Sequence, residues 1–488
     1  MRTVAPYLLA LLLAGCASPH PALRRPPESA IRIPSASPYP ELKRQIDALL
    51  PDTLFPPSNA AIRIASLTTG EILYDLNSRL LFTPASNQKL FTSAAALGTL
   101  GPGYTFTTRA LIDTATTPRI YLRGSGDPLL VAADIDSLAS AIAAALPPNR
   151  TWMLAGDVSL FDDLNRGPGW TWDDEPDPTV MFLSPLSLNG NAIEVRVVPR
   201  ARNGDSLLVR TDPDTRYVSI ENSGVTAADS ARSSVTISRK WREHSNVLTV
   251  AGYLRPSDSL RSEIVSIAGP EWYTLAVLRE RLESRGVRCA GMLLDTIPPT
   301  AREAGTRTHR LDSVLTYMNI VSDNLSAENI LKTMAAVRYG PPGTTEQGTA
   351  MVCEFLNGLG IDTTRIVVAD GSGLSRYNLT SAGAIVGLLA AMSRNEVAFS
   401  HWYNTLPVAG LSGTLSHRMR GSAADGNVRA KTGTLQGVSS LAGYVTTSDG
   451  DRLAFSILMQ NYPHSARAYR LVQDRIAEFL AGLRRSTY

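Results

Sequence analysis

The chain opens with one basic residue, Arg2, and an apolar run over 7–13. That run is too short to span a bilayer stably and has the length of a secretory leader's apolar core. From 17 to about 40, Pro, Ser and Arg recur without apolar periodicity, which predicts a tether rather than a packed element. A helix is predicted from about 41 to 50. Residues 61–67 alternate apolar and polar, as a half-buried strand does. Thr69-Gly70 supplies a turn, and 71–76 the return strand of a hairpin. Thr83 can then cap a helix, Pro84 suits its first position, and Ala-rich sequence to Leu97 carries it onward.

The middle differs. From about 106 to 300 short strand-like runs, such as Ile193-Glu194-Val195-Arg196-Val197 and 246–254, alternate with turns such as Gly124-Ser125-Gly126-Asp127-Pro128. Helical spacing resumes near Arg310, where Leu311, Val314, Leu315 and Met318 form an apolar face. Alternation returns from Lys431 to Val445, 452–460 reads as another strand, and 466–483 has the period of an amphipathic terminal helix.

Composition narrows the class of function. The formal charge of +3 over 488 residues is no basic footprint for nucleic acid. Leu13-Ala14-Gly15-Cys16 resembles a bacterial lipobox. Cleavage before Cys16 would leave that thiol acylated and the tether anchored to a membrane, with two or more acyl chains holding it stably. Ala17 is not the aspartate that retains many lipoproteins in the inner membrane, so in a Gram-negative source the expected location is periplasmic, on the outer membrane. Past Cys16 the remaining thiols are Cys289 and Cys353, expected as two separate buried cysteines.

Three short strings carry the chemistry: Ser86-Asn87-Gln88-Lys89, Ser322-Asp323-Asn324 and Lys431-Thr432-Gly433. Taken alone, each admits a structural reading, as a helical surface pair, a helix cap and a strand ending in a turn. In this order they make the S-x-x-K, S-D-N and K-T-G set of penicillin-binding proteins and class A β-lactamases. A serine hydroxyl is a weak nucleophile until a base takes its proton. Lys89, one turn after Ser86 on the same helical face, can be that base if burial and a second cation such as Lys431 lower its pKa. None of the six histidines flanks Ser86, and no G-x-S-x-G string is present, so neither a Ser–His–Asp triad nor an α/β-hydrolase elbow has support.

Pro84-Ala85-Ser86-Asn87-Gln88-Lys89-Leu90, Met318-Asn319 before Ser322-Asp323-Asn324-Leu325, Ala327-Glu328, Asp370-Gly371-Ser372-Gly373-Leu374-Ser375-Arg376 and Ala430-Lys431-Thr432-Gly433-Thr434-Leu435 together carry a more specific likeness. Weaker echoes are Gly126-Asp127-Pro128, Gly156-Asp157 and Gly169-Trp170 with Trp172-Asp173. Over roughly 45–485 the chain resembles the class C low-molecular-mass penicillin-binding proteins, the D-alanyl-D-alanine carboxypeptidase/endopeptidases of the penicillin-binding protein 4 type. Ile320 departs from the lysine often found after Met-Asn in that family.

The resemblance implies an α/β (α+β) fold: a β-lactamase/transpeptidase-like serine acyl-transferase domain, its antiparallel sheet flanked by helices, with β-rich domains inserted between the first two motifs. The expected division is a signal peptide over 1–15, a lipidated tether over 16–40, a catalytic domain over 41–105 and 301–488, and an insert over 106–300. By the same resemblance Ser86 is the nucleophile and Lys89 its base. Ser322 passes a proton to the leaving amine, and Asn324 positions substrate amide and Lys89. Lys431, with Thr432, Gly433 and Thr434, holds the substrate carboxylate, and the N–H groups of Ser86 and Thr434 form an oxyanion hole. The implied partners are peptidoglycan peptides ending in or cross-linked through D-Ala, with β-lactams as covalent inhibitors. No cofactor or metal is required. A serine β-lactamase and a non-catalytic wall-binding homologue remain alternatives. The first lacks an E-x-x-x-N string between Ser322 and Lys431, Glu354 and Asn357 being one residue too close.

Overall fold

The computed structural model describes residues 39–485 apart from 56–57, 115–116, 228–231 and 464. The leader, Cys16 and nearly all of the tether lie outside the described residues.

Both ends of the described chain build one antiparallel sheet. Its strand order is Arg429–Leu435, Val438–Thr446, Arg452–Gln460, Asn59–Ser66 and Ile72–Leu76. The N-terminal hairpin is thus stitched to the C-terminal strand, with Ile62 opposite Ile457 and Ile64 opposite Phe455. One face carries the helices Pro40–Asp47 and Ala466–Gly482 over a core that includes Ile62, Ile64, Phe455, Val472 and Ile476. The other carries Gln88–Leu100, Leu311–Ile320, Asn324–Tyr339, Thr345–Gly358 and Ala382–Ser393 over Phe91, Leu315, Ile330 and Leu389. Burial on both faces explains one difference from expectation. Asn59–Ser66 is buried almost throughout, not in alternate positions, because its Ala and Ser residues are small enough to pack where the pattern reads polar.

Residues 105–310 build a second core. A mixed sheet runs Arg288–Leu294, Thr151–Asp157, Arg119–Arg123, Thr105–Asp113 and Arg302–Arg310, its first three strands paired in parallel and the rest antiparallel. The helices Ala132–Ala145 and Pro270–Glu283 join that core, and parallel strands need such crossovers. Two smaller sheets follow, one of Arg261–Ser266, Ala192–Val198 and Leu208–Asp212, the other of Ser234–Arg239, Val247–Leu254 and Ser219–Asn222, with Val225–Thr226 at its side. Strands dominate this middle, as a β-rich insert requires, and the helices Ala132–Ala145 and Pro270–Glu283 pack among them. Arg302–Arg310 pairs along Thr105–Asp113, so the sheet reaches past the expected boundary at 300. Cys289 and Cys353 are both free thiols.

Candidate active site

Ser86 does not sit in the first turn of an α-helix capped by Thr83. It lies in a 3-10 turn, Ala85–Asn87, that leads straight into Gln88–Leu100, and no side chain caps either segment. Ala85 takes a left-handed φ of 47°, costly for a residue with a Cβ. The turn is held from outside: Ser440 Oγ donates to the Pro84 carbonyl at 2.7 Å. Strand Arg429–Leu435 comes so close that a Cβ on Gly433 would stand 2.9 Å from both the Pro84 oxygen and the Ser86 nitrogen. Glycine at 433 is what lets this edge strand lie against the serine.

Lys89 is fully buried. Its Nζ lies 3.0 Å from Ser86 Oγ, 2.5 Å from Asn324 Oδ1 and 2.8 Å from the Ser372 carbonyl. Burial lowers its pKa to about 8, against the opposing pull of Asp370, Asp323 and Glu328.

The second motif is both a helix start and a functional cluster. Asp323 caps helix Asn324–Tyr339 by accepting from Ser326 N at 2.6 Å. Ser322, just before it, is held at a φ of 67°. Asn324, the first residue of the helix, presents Oδ1 to Lys89 and donates from Nδ2 to the Thr179 carbonyl at 2.8 Å. These two partners fix which way the amide faces, and the second N–H of Nδ2 is left over for a ligand.

Lys431 is also fully buried. Its Nζ donates to Ser322 Oγ at 2.8 Å and to the Thr432 carbonyl at 3.0 Å. Burial first, and then the like charge of Lys89, push its pKa well below the usual lysine range. The amine thus bridges Ser322 Oγ and the carbonyl of the next residue on its own strand. The hydroxyls beside it line the cleft. Thr432 Oγ1 bonds Thr414 Oγ1 at 2.8 Å, and Thr434 Oγ1 accepts from Arg470 Nη2 at 3.2 Å, which leaves the Thr434 proton free to donate.

These groups open on one cleft of about 350 Å³, lined by Ser86, Ser322, Asn324 and Thr432–Thr434, with Asp174, Asp177, Thr179 and Val180 as the opposite wall. That wall belongs to the middle of the chain. It is tied down by Trp170, whose Nε1 donates to Asp370 Oδ2 at 3.0 Å, and by packing of Met181 and Leu183 on Leu325. A larger groove of about 890 Å³, lined by Arg196, Leu208, Asp212 and Ile220 among others, lies in the small sheets and contains none of these residues.

The structure thus brings Ser86, Lys89, Ser322, Asn324, Lys431, Thr432, Gly433 and Thr434 together. Motif spacing did not point to the Thr179 wall, Thr414, Arg470 or the Ser372 carbonyl. A backbone carbonyl leaves no mark on its residue's type, and Arg470 on an amphipathic helix reads as a solvated face.

Residues 42–483 match the D-Ala-D-Ala carboxypeptidase 3 (S13) family of peptidases. The chain belongs to this family. A D-alanyl-D-alanine carboxypeptidase of Actinomadura sp. (strain R39) is 35% identical over 462 residues, covering 90% of this chain and 84% of the relative. The crystal structure of penicillin binding protein 4 from Haemophilus influenzae, 24% identical, superposes with a TM-score of 0.77 over 90% of this chain and 99% of its own. The same protein complexed with a β-lactam gives 0.73 at 22% identity, over 90% and 100%. The S13 fold accounts for the mixed α/β architecture, with antiparallel sheet and flanking helices, that surrounds the cleft.

Proposed function

We propose that this chain is an exported serine-type D-Ala-D-Ala carboxypeptidase, able also to open D-Ala cross-links, that works through an acyl-enzyme on Ser86. The observation that supports this most is the Lys89 amine 3.0 Å from Ser86 Oγ with its other two contacts fixed. Neutral Lys89 takes the Ser86 proton as Oγ attacks the carbonyl of the penultimate D-Ala. The N–H groups of Ser86 and Thr434 receive the oxyanion. The C–N bond then breaks, and the proton reaches the leaving amine through Ser322, which Lys431 orients. Water attacks the ester and releases the shortened peptide. A β-lactam enters by the same first step. Residues 41–105 and those after the second core form the catalytic part, and the middle supplies one wall of its cleft.

Fluorescent penicillin and a stem peptide ending in D-Ala-D-Ala test this together. Durable labelling with release of D-Ala is expected. Rapid turnover of the label would mark a β-lactamase, and neither label nor release a non-catalytic homologue.

Because the Lys431 amine serves Ser322, Lys431→Ala is expected to slow acylation by a carboxylated substrate and by its amidated analogue to a similar degree. Thr434→Val should act mainly on the carboxylated one, since a hydrogen bond to a charged group is worth about 1.5–3 kcal/mol, or roughly 10- to 150-fold. Paired kinetics on the two substrates check both. A selective loss in Lys431→Ala would return the carboxylate to that lysine.

The mature chain is held at a membrane by acylation of Cys16, and the tether sets the catalytic part off the lipid surface. The lipobox and the Pro/Ser-rich stretch after it motivate this. Metabolic fatty-acid labelling should mark wild type and spare Cys16→Ser. An unlabelled, freely soluble wild type would show the chain to be secreted without an anchor.

A further inference from the structure

A neutral amine has two N–H groups and one lone pair. With the two N–H groups of Lys89 on Asn324 Oδ1 and the Ser372 carbonyl, the lone pair is left facing Ser86 Oγ. The aim of the base therefore depends on what holds those two acceptors. Asn324 is held by the Thr179 carbonyl. The Ser372 carbonyl sits in a loop gripped from both sides.

On one side is Glu328, four residues after Asn324 and on the same face of helix Asn324–Tyr339. Its side chain is fully buried. Oε1 accepts from Ser372 N at 2.8 Å and Gly371 N at 3.0 Å, and Oε2 lies 3.2 Å from Gly371 N. On the other side is Thr92, three residues after Lys89 on the serine helix, whose Oγ1 donates to the Gly371 carbonyl at 2.6 Å. Asp370 sets the rest of the loop, accepting from Gly373 N, Ser375 N and Asn378 Nδ2 at 2.7–2.8 Å. The helices that deliver Lys89 and Asn324 thus also clamp the third partner of the amine.

We infer that Glu328 and Thr92 are positioning residues that hold the Ser372 carbonyl on the Lys89 amine and so aim its lone pair at Ser86. This deepens the acyl-enzyme reading and rests on it. Lys89 is faced by Asp370, Asp323 and Glu328 and, from the motif strand, by Lys431. Burial, and then the facing charge of Asp370, raise the pKa of Glu328 to about 8. The carbonyl contact favours charged Lys89, so its loss lowers the pH at which the base becomes free.

The test is the rate of acylation by penicillin against pH for full-length wild type, Glu328→Ala, Glu328→Gln and Thr92→Val, with folding followed by thermal unfolding. Glu328→Ala is expected to lower the high-pH plateau at least about tenfold and to move the acid limb down by about half a pH unit or more. The amide oxygen of Glu328→Gln can accept from both loop N–H groups, and should restore the plateau to within about threefold of wild type. Thr92→Val should move the limb the same way with a smaller loss. A folded Glu328→Ala with wild-type plateau and limb overturns the inference. So does a lowered plateau with the limb in place and no rescue by Gln, which marks a purely structural role. If Glu328→Ala does not fold, Thr92→Val decides: an unmoved limb overturns the clamp. A wild type that is never acylated would instead sink the acyl-enzyme reading, a separate result.

Discussion

Ser86→Ala is expected to lower D-Ala release by at least about 10⁴-fold, since removing the nucleophile of a serine hydrolase leaves only binding and oxyanion stabilisation. The fold should survive. Ser86 is partly exposed at the cleft, and its Oγ interaction here is with Lys89. The other two contacts of the amine remain to satisfy it. Unfolding by calorimetry, beside D-Ala release from a stem peptide, separates chemistry from stability. Retained release in a folded variant would move the nucleophile elsewhere.

Lys89→Met is expected to cost about 10²–10⁴-fold in acylation, the usual range for a general base. Methionine fills similar space without the charge. It strands Asn324 Oδ1 and the Ser372 carbonyl, at about 1–3 kcal/mol each if they find no other partner, but it also removes a buried cation, which offsets part of that cost. The wild-type pH profile carries the same claim. A pKa lowered to about 8 by burial leaves about one lysine in ten neutral at pH 7, against about three in ten thousand at the ordinary value. Because the neutral form is the base, acylation should climb roughly tenfold per pH unit below 8 and level above it. A profile flat from pH 6 to 9 would remove Lys89 from that role.

Much of the site was legible because local geometry expresses it in spacing. Ser86 and Lys89 meet across one helical turn, and the two readings of Ser322-Asp323-Asn324 hold at once: Asp323 caps the helix while its neighbours face the cleft. Gly433 was legible as part of a motif but not as the contact that seats the strand on the serine turn. The Thr179 wall and the clamp on Ser372 were hidden for a different reason. They act through backbone groups brought in from distant parts of the chain, and Glu328 was visible only as a residue of the family pattern.

The fold was legible where one face meets water and less so where both are covered. Asn59–Ser66 read as half-buried because Ala and Ser in a doubly covered strand mimic alternation. The helices of the middle had their own signals. Ile135, Leu138, Ala139 and Ile142 recur at helical spacing and are buried together, and Pro270 opens Pro270–Glu283 at a position where its missing N–H costs nothing.

Ser86, set on Lys89 at the mouth of this cleft, is the residue proposed to carry the acyl group. The most direct test is intact-mass and peptide-mapping spectrometry of the wild-type protein after brief exposure to penicillin. One penicilloyl adduct per chain is expected, on the peptide containing Ser86. An adduct on any other serine, or none on a folded protein, would contradict it.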